Sequence, residues 1–494
     1  MPGRGEMKQK VARTVKWTAI DRGTNVVVSV VTGIILANVL PREDFGLIGA
    51  LLVFQAFAAL FVDAGFSTAL IQKKRCSRAE YSSVMWFNLA AATFIYIILC
   101  LGAPLIARIF DNDVRLIPLG RVMFLTIVIN ATSMVQTSRL YKLMQVRTVA
   151  AANALAILVS ALVAIWLAVT GYGAWSLVWQ AVAQSAVKSS ALWIATGWRP
   201  RRTLSIKAVR GFFKVGSGML GASFLNVLFG KIYSLVVGNR AGILPLGYYT
   251  QADKWSTMGV ATLTAVMTQS FLPALSTYQD KPVEFAAATA KMNRFSSYVM
   301  MPCLVLAVLV ATPLFHVCFG TKWDAAIILF QLLVIRGIFT CLTSVYNNYI
   351  IARGHTRLIM LTEVIRDVMA IAAIAVTLPY IALSTPESPT YGIAIMLWGQ
   401  IAASLLTWIY TLVKAAQCSW RTWWEFVTDS LPYCATAIIA VIPAALIAQV
   451  LENEMLLLAT QAATFIAVYI GVNALLGSKI QRDALSWAFS RRKF

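Results

Sequence analysis

The chain has 494 residues, of which 59% are hydrophobic and only 13% are charged, and this composition excludes a soluble globular protein. Its polar stretches are each too short to build a separate catalytic domain with its own core. The formal net charge of +22 would suggest nucleic acid as the partner of a soluble protein, but here the Lys and Arg residues separate apolar segments and mark one side of a membrane, so no nucleic-acid partner is expected.

Apolar segments of about twenty residues follow one another from Trp17 to Gly477. Each is long enough to cross a hydrocarbon core of ~30 Å as a helix, and the bilayer requires every backbone polar group to be paired internally. The sequence therefore predicts fourteen transmembrane helices. They are residues 17–40, 46–71, 81–101, 117–138, 149–169, 174–196, 211–238, 251–276, 297–316, 325–352, 358–379, 391–413, 431–449 and 455–477.

Basic residues are concentrated in every second connection between the predicted spans. With the N-terminus inside, the inner connections are rich in Lys and Arg, as in the stretches 73–78 and 199–214. The outer connections hold Arg42, Arg108, Arg115, Arg240 and Lys322. This distribution obeys the positive-inside rule and predicts an even number of spans with both termini in the cytoplasm.

Two short turns in corresponding places resemble each other. Leu40-Pro-Arg-Glu-Asp-Phe-Gly46 follows the first span, and Leu244-Pro-Leu-Gly247 follows the seventh. They indicate an all-α integral membrane fold with two six-helix lobes related by a parallel pseudo-two-fold repeat, followed by two extra C-terminal helices. The alternative is that any tight hairpin at these places would use Pro and Gly.

The predicted domains follow from these spans and from the charges between them. They are a basic cytoplasmic N-terminus (1–16), an N-lobe with spans 1 to 6 (17–196), a cytoplasmic linker (197–210), a C-lobe with spans 7 to 12 (211–416), spans 13 and 14 with an interfacial connection (417–477), and a basic cytoplasmic tail (478–494).

Several basic residues fall inside the predicted spans, where burial of a cation costs about 2.5–3.5 kcal/mol on insertion scales. Arg336 and Arg366 lie too deep to reach the interface easily, and Lys188, Lys231 and Arg22 are further candidates. Such cations suit a phosphate or pyrophosphate group, for which Arg offers a bidentate fork and Lys a point charge. The alternative for each is an internal ion pair.

Three acidic residues inside the spans are candidates for ion coupling. They are Asp63, Glu363 and Asp367. A carboxylate in a low-dielectric site can exchange protons during a transport cycle. The alternatives are a helix-packing hydrogen bond for Asp63 and a local pair between Glu363 and Arg366, which are three residues apart on one helix.

Motifs for nucleotide, metal or nucleophilic chemistry are absent from the sequence, and the seven cysteines are scattered, so no cofactor, no metal and no catalytic residue are expected. Glu43 and Asp44, in the first outer turn, leave open an integral-membrane glycosyltransferase that would use one of them to bind a metal. Against this alternative, no large outer loop follows to hold an acceptor.

At this point the chain resembles the bacterial polysaccharide flippases of the multidrug/oligosaccharidyl-lipid/polysaccharide exporter superfamily, the Wzx-type O-antigen and exopolysaccharide flippases. The most specific part runs from Asp63-Ala-Gly-Phe-Ser-Thr-Ala-Leu-Ile-Gln72 to Tyr81-Ser-Ser-Val-Met-Trp-Phe-Asn88. Looser matches are 40–47, 136–142, 246–252 and 271–276.

The resemblance implies a transporter, not an enzyme, that moves an undecaprenyl-pyrophosphate-linked oligosaccharide across the bacterial inner membrane by alternating access through a cationic cavity. Its partners would be this substrate, membrane lipids and other polysaccharide assembly proteins, in exopolysaccharide or lipopolysaccharide synthesis. A lipid II flippase or a multidrug exporter of the same superfamily is the alternative. The family motifs do not extend to Arg336 or Arg366, so these two residues rest on the physical argument alone.

Overall fold

The computed structural model describes residues 4–63, 65–74, 76–381 and 388–482. Every regular element in these residues is helical, which confirms the predicted all-α membrane fold. Residues 1–3 of the predicted basic N-terminus and residues 483–494 of the predicted tail lie outside the described residues.

The first of two compact units spans Met1–Gly247. Its helices are α1 (Arg4–Val39), α2 (Arg42–Asp63), α3 (Phe66–Gln72), α4 (Arg78–Ile109), α5 (Leu116–Met123), α6 (Leu125–Lys142), α7 (Val146–Val169), α8 (Ala174–Thr196), α9 (Ile206–Arg240) and the start of α10 (Ile243–Ser276). Helix α7 packs on α1 and α8, α8 packs on α6, and α9 packs on α2, α3 and α4. The domain boundaries drawn from the sequence stay a prediction.

The second unit spans Tyr248–Phe494 and contains most of α10. Its other helices are α11 (Pro282–Leu309), α12 (Ala311–Phe319), α13 (Asp324–Ala352), α14 (Thr356–Ile381), α15 (Tyr391–Cys418), α16 (Trp423–Leu446) and α17 (Glu454–Leu475). Helix α15 packs between α13 and α14, and α16 packs on α11 and α17.

Within the described residues, eleven helical segments are long and apolar enough to cross a membrane. The other three predicted spans fall on α8, α9 and α14, outside these eleven segments; α14 carries Arg357, Glu363, Arg366 and Asp367. Large apolar side chains such as Leu101 and Ile194 are exposed on the helix surfaces, where a bilayer would cover them. The total of fourteen spans and the two-lobe repeat stay predictions.

The second predicted span is interrupted. Helix α2 ends at Asp63 and α3 begins at Phe66, and between them Gly65 has a φ of 75°. This left-handed conformation is one that glycine adopts without a steric penalty. The interruption places the C-terminal end of α2 inside the predicted span.

The two similar turns noted in the sequence contact each other. A Cβ atom on Gly46 would overlap the backbone carbonyl oxygen of Ile243, and a Cβ atom on Gly247 would overlap the backbone carbonyl oxygen of Arg42. The contact is reciprocal, because each turn supplies the glycine that admits the backbone of the other. Only glycine leaves enough room for such an approach.

His316 joins the starts of two long helices. It lies on the short helix α12, between the candidate membrane segments Pro282–Leu309 and Thr321–Ala352. Its Nδ1 atom is 2.8 Å from Oε1 of Glu454, and its Nε2 atom is 2.9 Å from Oδ1 of Asp324. A neutral imidazole has one N–H group, whereas two ionised carboxylates need two donors, so the arrangement suits the protonated ring. The hydrogen bond to Glu454, and then that to Asp324, raises the pKa of His316.

We expect a pH-dependent contribution of His316 to stability. A raised pKa in the folded state gives stability that is complete below the ordinary histidine value near 6.5 and is lost as the pH rises through the folded value. Both carboxylates are substantially exposed, so the effect should be about 0.5–1 kcal/mol. Thermal unfolding of wild type and of His316→Gln in detergent, measured at pH values from about 5.5 to 9, gives the contribution of His316 to stability at each pH. An equal pH dependence in both proteins would contradict the prediction.

Candidate functional site

Lys188 belongs to a polar cluster inside the first unit. It is half-buried on α8, and Asp21 of α1 is the carboxylate whose charge acts on it. Asp21 accepts hydrogen bonds from Nδ2 of Asn25 at 3.0 Å and from Nδ2 of Asn153 on α7 at 3.3 Å. These amides fix the carboxylate between α1 and α7, so the Lys188 ammonium lies in the field of an oriented anion.

Arg22 and Lys231 are the less constrained predicted cations. Arg22 is exposed on α1, and Lys231 is half-buried on α9. Among the residues that the structure describes, no salt bridge to a carboxylate forms at either of them. Their charges remain available to an anionic ligand. Positive charges are rare inside membrane segments, so these two side chains are candidate ligand contacts.

Arg336, on α13 of the second unit, is only partly compensated. Its Nη2 atom is 4.0 Å from Oδ1 of Asp253 on α10, and its side chain is 23% exposed. Its Nε atom is buried and has no hydrogen-bond partner in the described part of the chain. The guanidinium therefore keeps donor capacity that Asp253 does not use.

Arg366 is compensated by its own helix. Its guanidinium lies 2.5 Å from Oε2 of Glu363 and 3.0 Å from Oδ1 of Asp367. The local pair with Glu363, which the spacing on the helix allowed, is therefore present. With one cation and two anions the cluster is negative overall. Glu363 and Asp367 supply this excess, and Asp367 is buried.

Asp63 lines a small cavity of about 130 Å³ in the first unit. Its Oδ1 atom accepts hydrogen bonds from the backbone N–H of Ser67 at 3.3 Å and from its hydroxyl at 2.5 Å. The sequence reasoning missed the uncharged polar residues that share the cavity, which are Gln55, Asn88, Thr126 and Asn130. The spacing of eight residues between Gln55 and Asp63, which places both on one face of a helix, was the available signal.

The two acids of the first outer turn do not share an environment. Glu43 is half-exposed and lies 4.0 Å from Arg115, whereas Asp44 is buried. Across the described residues, no group of three or more His, Cys, Asp or Glu side chains could hold a metal ion.

The chain is similar to proteins of polysaccharide biosynthesis. The family described as "Polysaccharide biosynthesis protein" matches residues 35–328, more than half of the chain. The succinoglycan biosynthesis transport protein ExoT of Rhizobium meliloti (strain 1021) is 25% identical over 429 residues, which cover 86% of this chain and 81% of that protein. The teichuronic acid biosynthesis protein TuaB of Bacillus subtilis (strain 168) is 23% identical over 355 residues, with coverages of 71% and 73%.

Among solved structures, the lipid II flippase MurJ in its inward closed conformation has a TM-score of 0.72 at 14% identity, over 96% of this chain and 100% of that chain. This likeness shows that the two proteins share a fold. The family match over residues 35–328 and the similarity to ExoT and TuaB confirm the predicted resemblance, whose most specific segment lies between Asp63 and Asn88. The chain belongs to the polysaccharide biosynthesis protein family.

Proposed function

We propose that this protein is a flippase that translocates an undecaprenyl-pyrophosphate-linked oligosaccharide across the bacterial inner membrane by alternating access. The observation that carries the proposal is the family match over residues 35–328, together with a fold shared with a flippase for lipid II. Similarity to ExoT and TuaB, which are named for succinoglycan and teichuronic acid biosynthesis, favours a polysaccharide repeat unit over lipid II as the substrate.

The proposed topology has fourteen spans with both termini in the cytoplasm. It comprises an N-lobe (17–196), a C-lobe (211–416) and two additional helices within 417–477. The reciprocal contact of Gly46 and Gly247 with the opposite turn supports the repeat, because equivalent positions of related elements meet in a symmetric contact. Further partners are membrane lipids and other polysaccharide assembly proteins.

The proposed substrate contacts are the intramembrane cations, which would neutralise the diphosphate while the lipid tail stays in the bilayer. Arg22, Lys231 and Arg336 are the stronger candidates, because among the described residues the first two form no salt bridge and Arg336 is only partly compensated. Lys188 and Arg366 already face carboxylates, so they would contact substrate only after a rearrangement. Asp63, Glu363 and Asp367 are the proposed ion-coupling residues.

Removal of a substrate contact should reduce transport without loss of folded protein. We expect Arg336→Ala to lower the initial rate by about 10- to 100-fold, since a charge-assisted hydrogen bond contributes roughly 1.5–3 kcal/mol. The assay is movement of a lipid-linked oligosaccharide across liposomes that contain the purified protein. Lys281→Ala, which removes an exposed cation that pairs with Glu284, is the matched control and should transport normally.

The same liposomes separate the alternatives. Wild type that exports organic cations but does not move lipid-linked sugar would replace the proposal by a multidrug exporter, and movement of lipid II alone would indicate a lipid II flippase. The glycosyltransferase alternative requires Glu43 or Asp44. Normal surface polysaccharide in cells that carry Glu43→Ala and Asp44→Ala together would exclude it.

A further inference from the structure

The connection between α8 and α9 is a strap without regular structure that lies against the start of α4. It comprises residues 197–205. Trp198 is buried, whereas the residues from Arg201 to Ser205 are exposed. The strap therefore has one apolar anchor, and its backbone N–H and C=O groups need partners from elsewhere or from water.

Three side chains of α4 provide such partners. The hydroxyl of Ser82 accepts from the backbone N–H of Arg201 at 2.9 Å, and the hydroxyl of Ser83 accepts from the backbone N–H of Ser205 at 2.8 Å. The indole N–H of Trp86 donates to the carbonyl oxygen of Arg201 at 2.9 Å. All three contacts are to the backbone of the strap, so they do not depend on its side chains.

The two serines are suited to this role because each hydroxyl also bonds within α4. Both are completely buried, and they donate to the carbonyl oxygens of Arg78 and Ala79 at 2.8 Å each. The Ser83 hydroxyl also lies 3.3 Å from the carbonyl oxygen of Thr203, a second and longer acceptor. A hydroxyl oxygen has two lone pairs, so Ser82 and Ser83 can each accept from the strap while they donate.

The docked strap determines where α9 begins. Ser205 is the N-cap residue of α9, because its hydroxyl accepts from the backbone N–H of Ala208 at 3.3 Å, while its own N–H donates to Ser83. The first turn of α9 is thereby attached to α4. At the other end of α9, Asn239 donates to the carbonyl oxygen of Ile109, the last residue of α4, at 2.8 Å. The two helices are joined at both ends.

We propose that Ser82, Ser83 and Trp86 are positioning residues for transport, which hold the start of α9 on α4 through the strap. This inference rests on the proposed function, in which the strap connects the N-lobe to the C-lobe and α9 is the first helix of the C-lobe. An undocked connection would allow the start of α9 to shift, because a chain without secondary structure adopts many end-to-end lengths. A docked connection passes a movement of α4 directly to α9.

Docking is measured by trypsin cleavage after Arg202 in the purified full-length protein in detergent, because cleavage follows the population of the open state. Ser82→Ala with Ser83→Ala removes both acceptors. Cleavage should become about 5- to 150-fold faster, which corresponds to about 1–3 kcal/mol for two hydrogen bonds. The unfolding midpoint should stay close to that of wild type, since alanine is a good helix former. Thr93→Val, which removes a hydroxyl bonded to Leu89 of the same helix, is the matched control and should be cleaved as wild type is.

The role in transport is measured in liposomes with lipid-linked oligosaccharide. Ser82→Ala with Ser83→Ala should lower the initial rate severalfold while the protein stays folded. Arg201→Pro removes from the strap the N–H that Ser82 accepts and should also lower the rate, whereas Arg201→Ala keeps this N–H and should transport normally. Arg201→Pro combined with Ser82→Ala should lower the rate no more than the larger single effect, as expected for two members of one contact.

Three results would overturn the proposal. They are unchanged cleavage after Arg202 in the serine variant, faster cleavage with transport at the wild-type rate, and additive effects of Arg201→Pro and Ser82→Ala. If the serine variant does not fold, Trp86→Phe, which removes only the indole N–H donor, gives the same two measurements. A wild type that moves no lipid-linked sugar would overturn the proposed function instead; cleavage would still measure docking, and the transport rates would be taken with the substrate that wild type does move.

Discussion

Asp429→Leu is expected to lower the free energy of unfolding by about 3–5 kcal/mol, because it leaves a buried arginine without its counter-charge. Oδ2 of Asp429 is 2.7 Å from Nη2 of Arg421, and these two side chains are only 5% and 8% exposed. Oδ1 of the same carboxylate is 2.6 Å from Nε of Arg294 on α11. One carboxylate therefore joins two arginines and ties α11 to α16.

The remaining partners of Arg421 do not compensate for this loss. Glu425 accepts from its Nε atom at 3.0 Å but is half-exposed, and Nη1 of Arg421 has no hydrogen bond in the described part of the chain. The guanidinium also lies 4.7 Å from the ring centroid of Phe426, which is buried. Without Asp429 its charge is balanced only by one partly hydrated carboxylate and by the cation–π contact with this ring, which is weaker than a buried ion pair.

Thermal or chemical unfolding in detergent, followed by tryptophan fluorescence, measures this effect. Glu284→Ala, which removes an exposed partner of Lys281, should change stability by less than about 1 kcal/mol. The double variant Asp429→Leu with Arg421→Met should recover most of the loss, because apolar replacement of both members of a buried pair is often neutral. If Asp429→Leu were as stable as wild type, or if the double variant were no more stable than Asp429→Leu, the ion pairs of Asp429 would not contribute as proposed.

The positions of the helices could be predicted from the sequence because a bilayer leaves few options. Once backbone groups must be paired internally, length and apolarity of a segment are sufficient to predict a span. The same criterion does not predict how far a helix extends beyond its apolar segment. Helix α11 begins at Pro282, well before the predicted start at 297, because its first turns carry charges such as Lys291 and Arg294 and read as a polar connection.

The break at Gly65 was also not predictable, because a glycine inside an apolar segment is common in membrane helices and does not by itself end one. It takes the packing of Phe66, which is completely buried, to show why the chain turns there. The predicted span coincides with a candidate membrane segment, Arg42–Gln72, but the prediction did not include its interruption.

The charged residues of the candidate site could be predicted from the sequence. Their ion-pair partners could be predicted only where both residues lie on the same helix. Glu363 and Arg366 are three residues apart on one helix, so their pairing followed from helix geometry. Arg336 and Asp253 lie on different helices, and nothing in the sequence brings them together. Asn88 and Gln55 were not predicted, because an uncharged amide inside a span does not require a counter-charge.

Replacement of either turn glycine is the other large expected effect. A Cβ atom on Gly46 would overlap the carbonyl oxygen of Ile243 and lie 3.0 Å from its Cγ2 atom, and one on Gly247 would overlap the carbonyl oxygen of Arg42. Both obstacles are backbone atoms, which cannot rotate away as a side chain can. Gly46→Val and Gly247→Val should each destabilise the protein by more than the ~1–3 kcal/mol typical of overpacking.

Gly102→Ala is the matched control, since nothing lies within 4 Å of a Cβ atom at this position on α4. Alanine should there be neutral or stabilising by up to ~1 kcal/mol, because it is the better helix former. Unfolding midpoints and the amount of folded protein recovered from membranes measure all three variants. Turn variants as stable as Gly102→Ala would show that the two turns do not press on each other.

The combined variant separates one shared contact from two independent ones. If each glycine admits the backbone of the opposite turn, the first alanine already forces the turns apart, and the second then meets open space. Gly46→Ala with Gly247→Ala should therefore destabilise by clearly less than the sum of the effects of Gly46→Ala alone and Gly247→Ala alone, as expected for residues in one contact. Full additivity would mean that the turns are strained separately, and the reciprocal contact would then lend no support to a repeat.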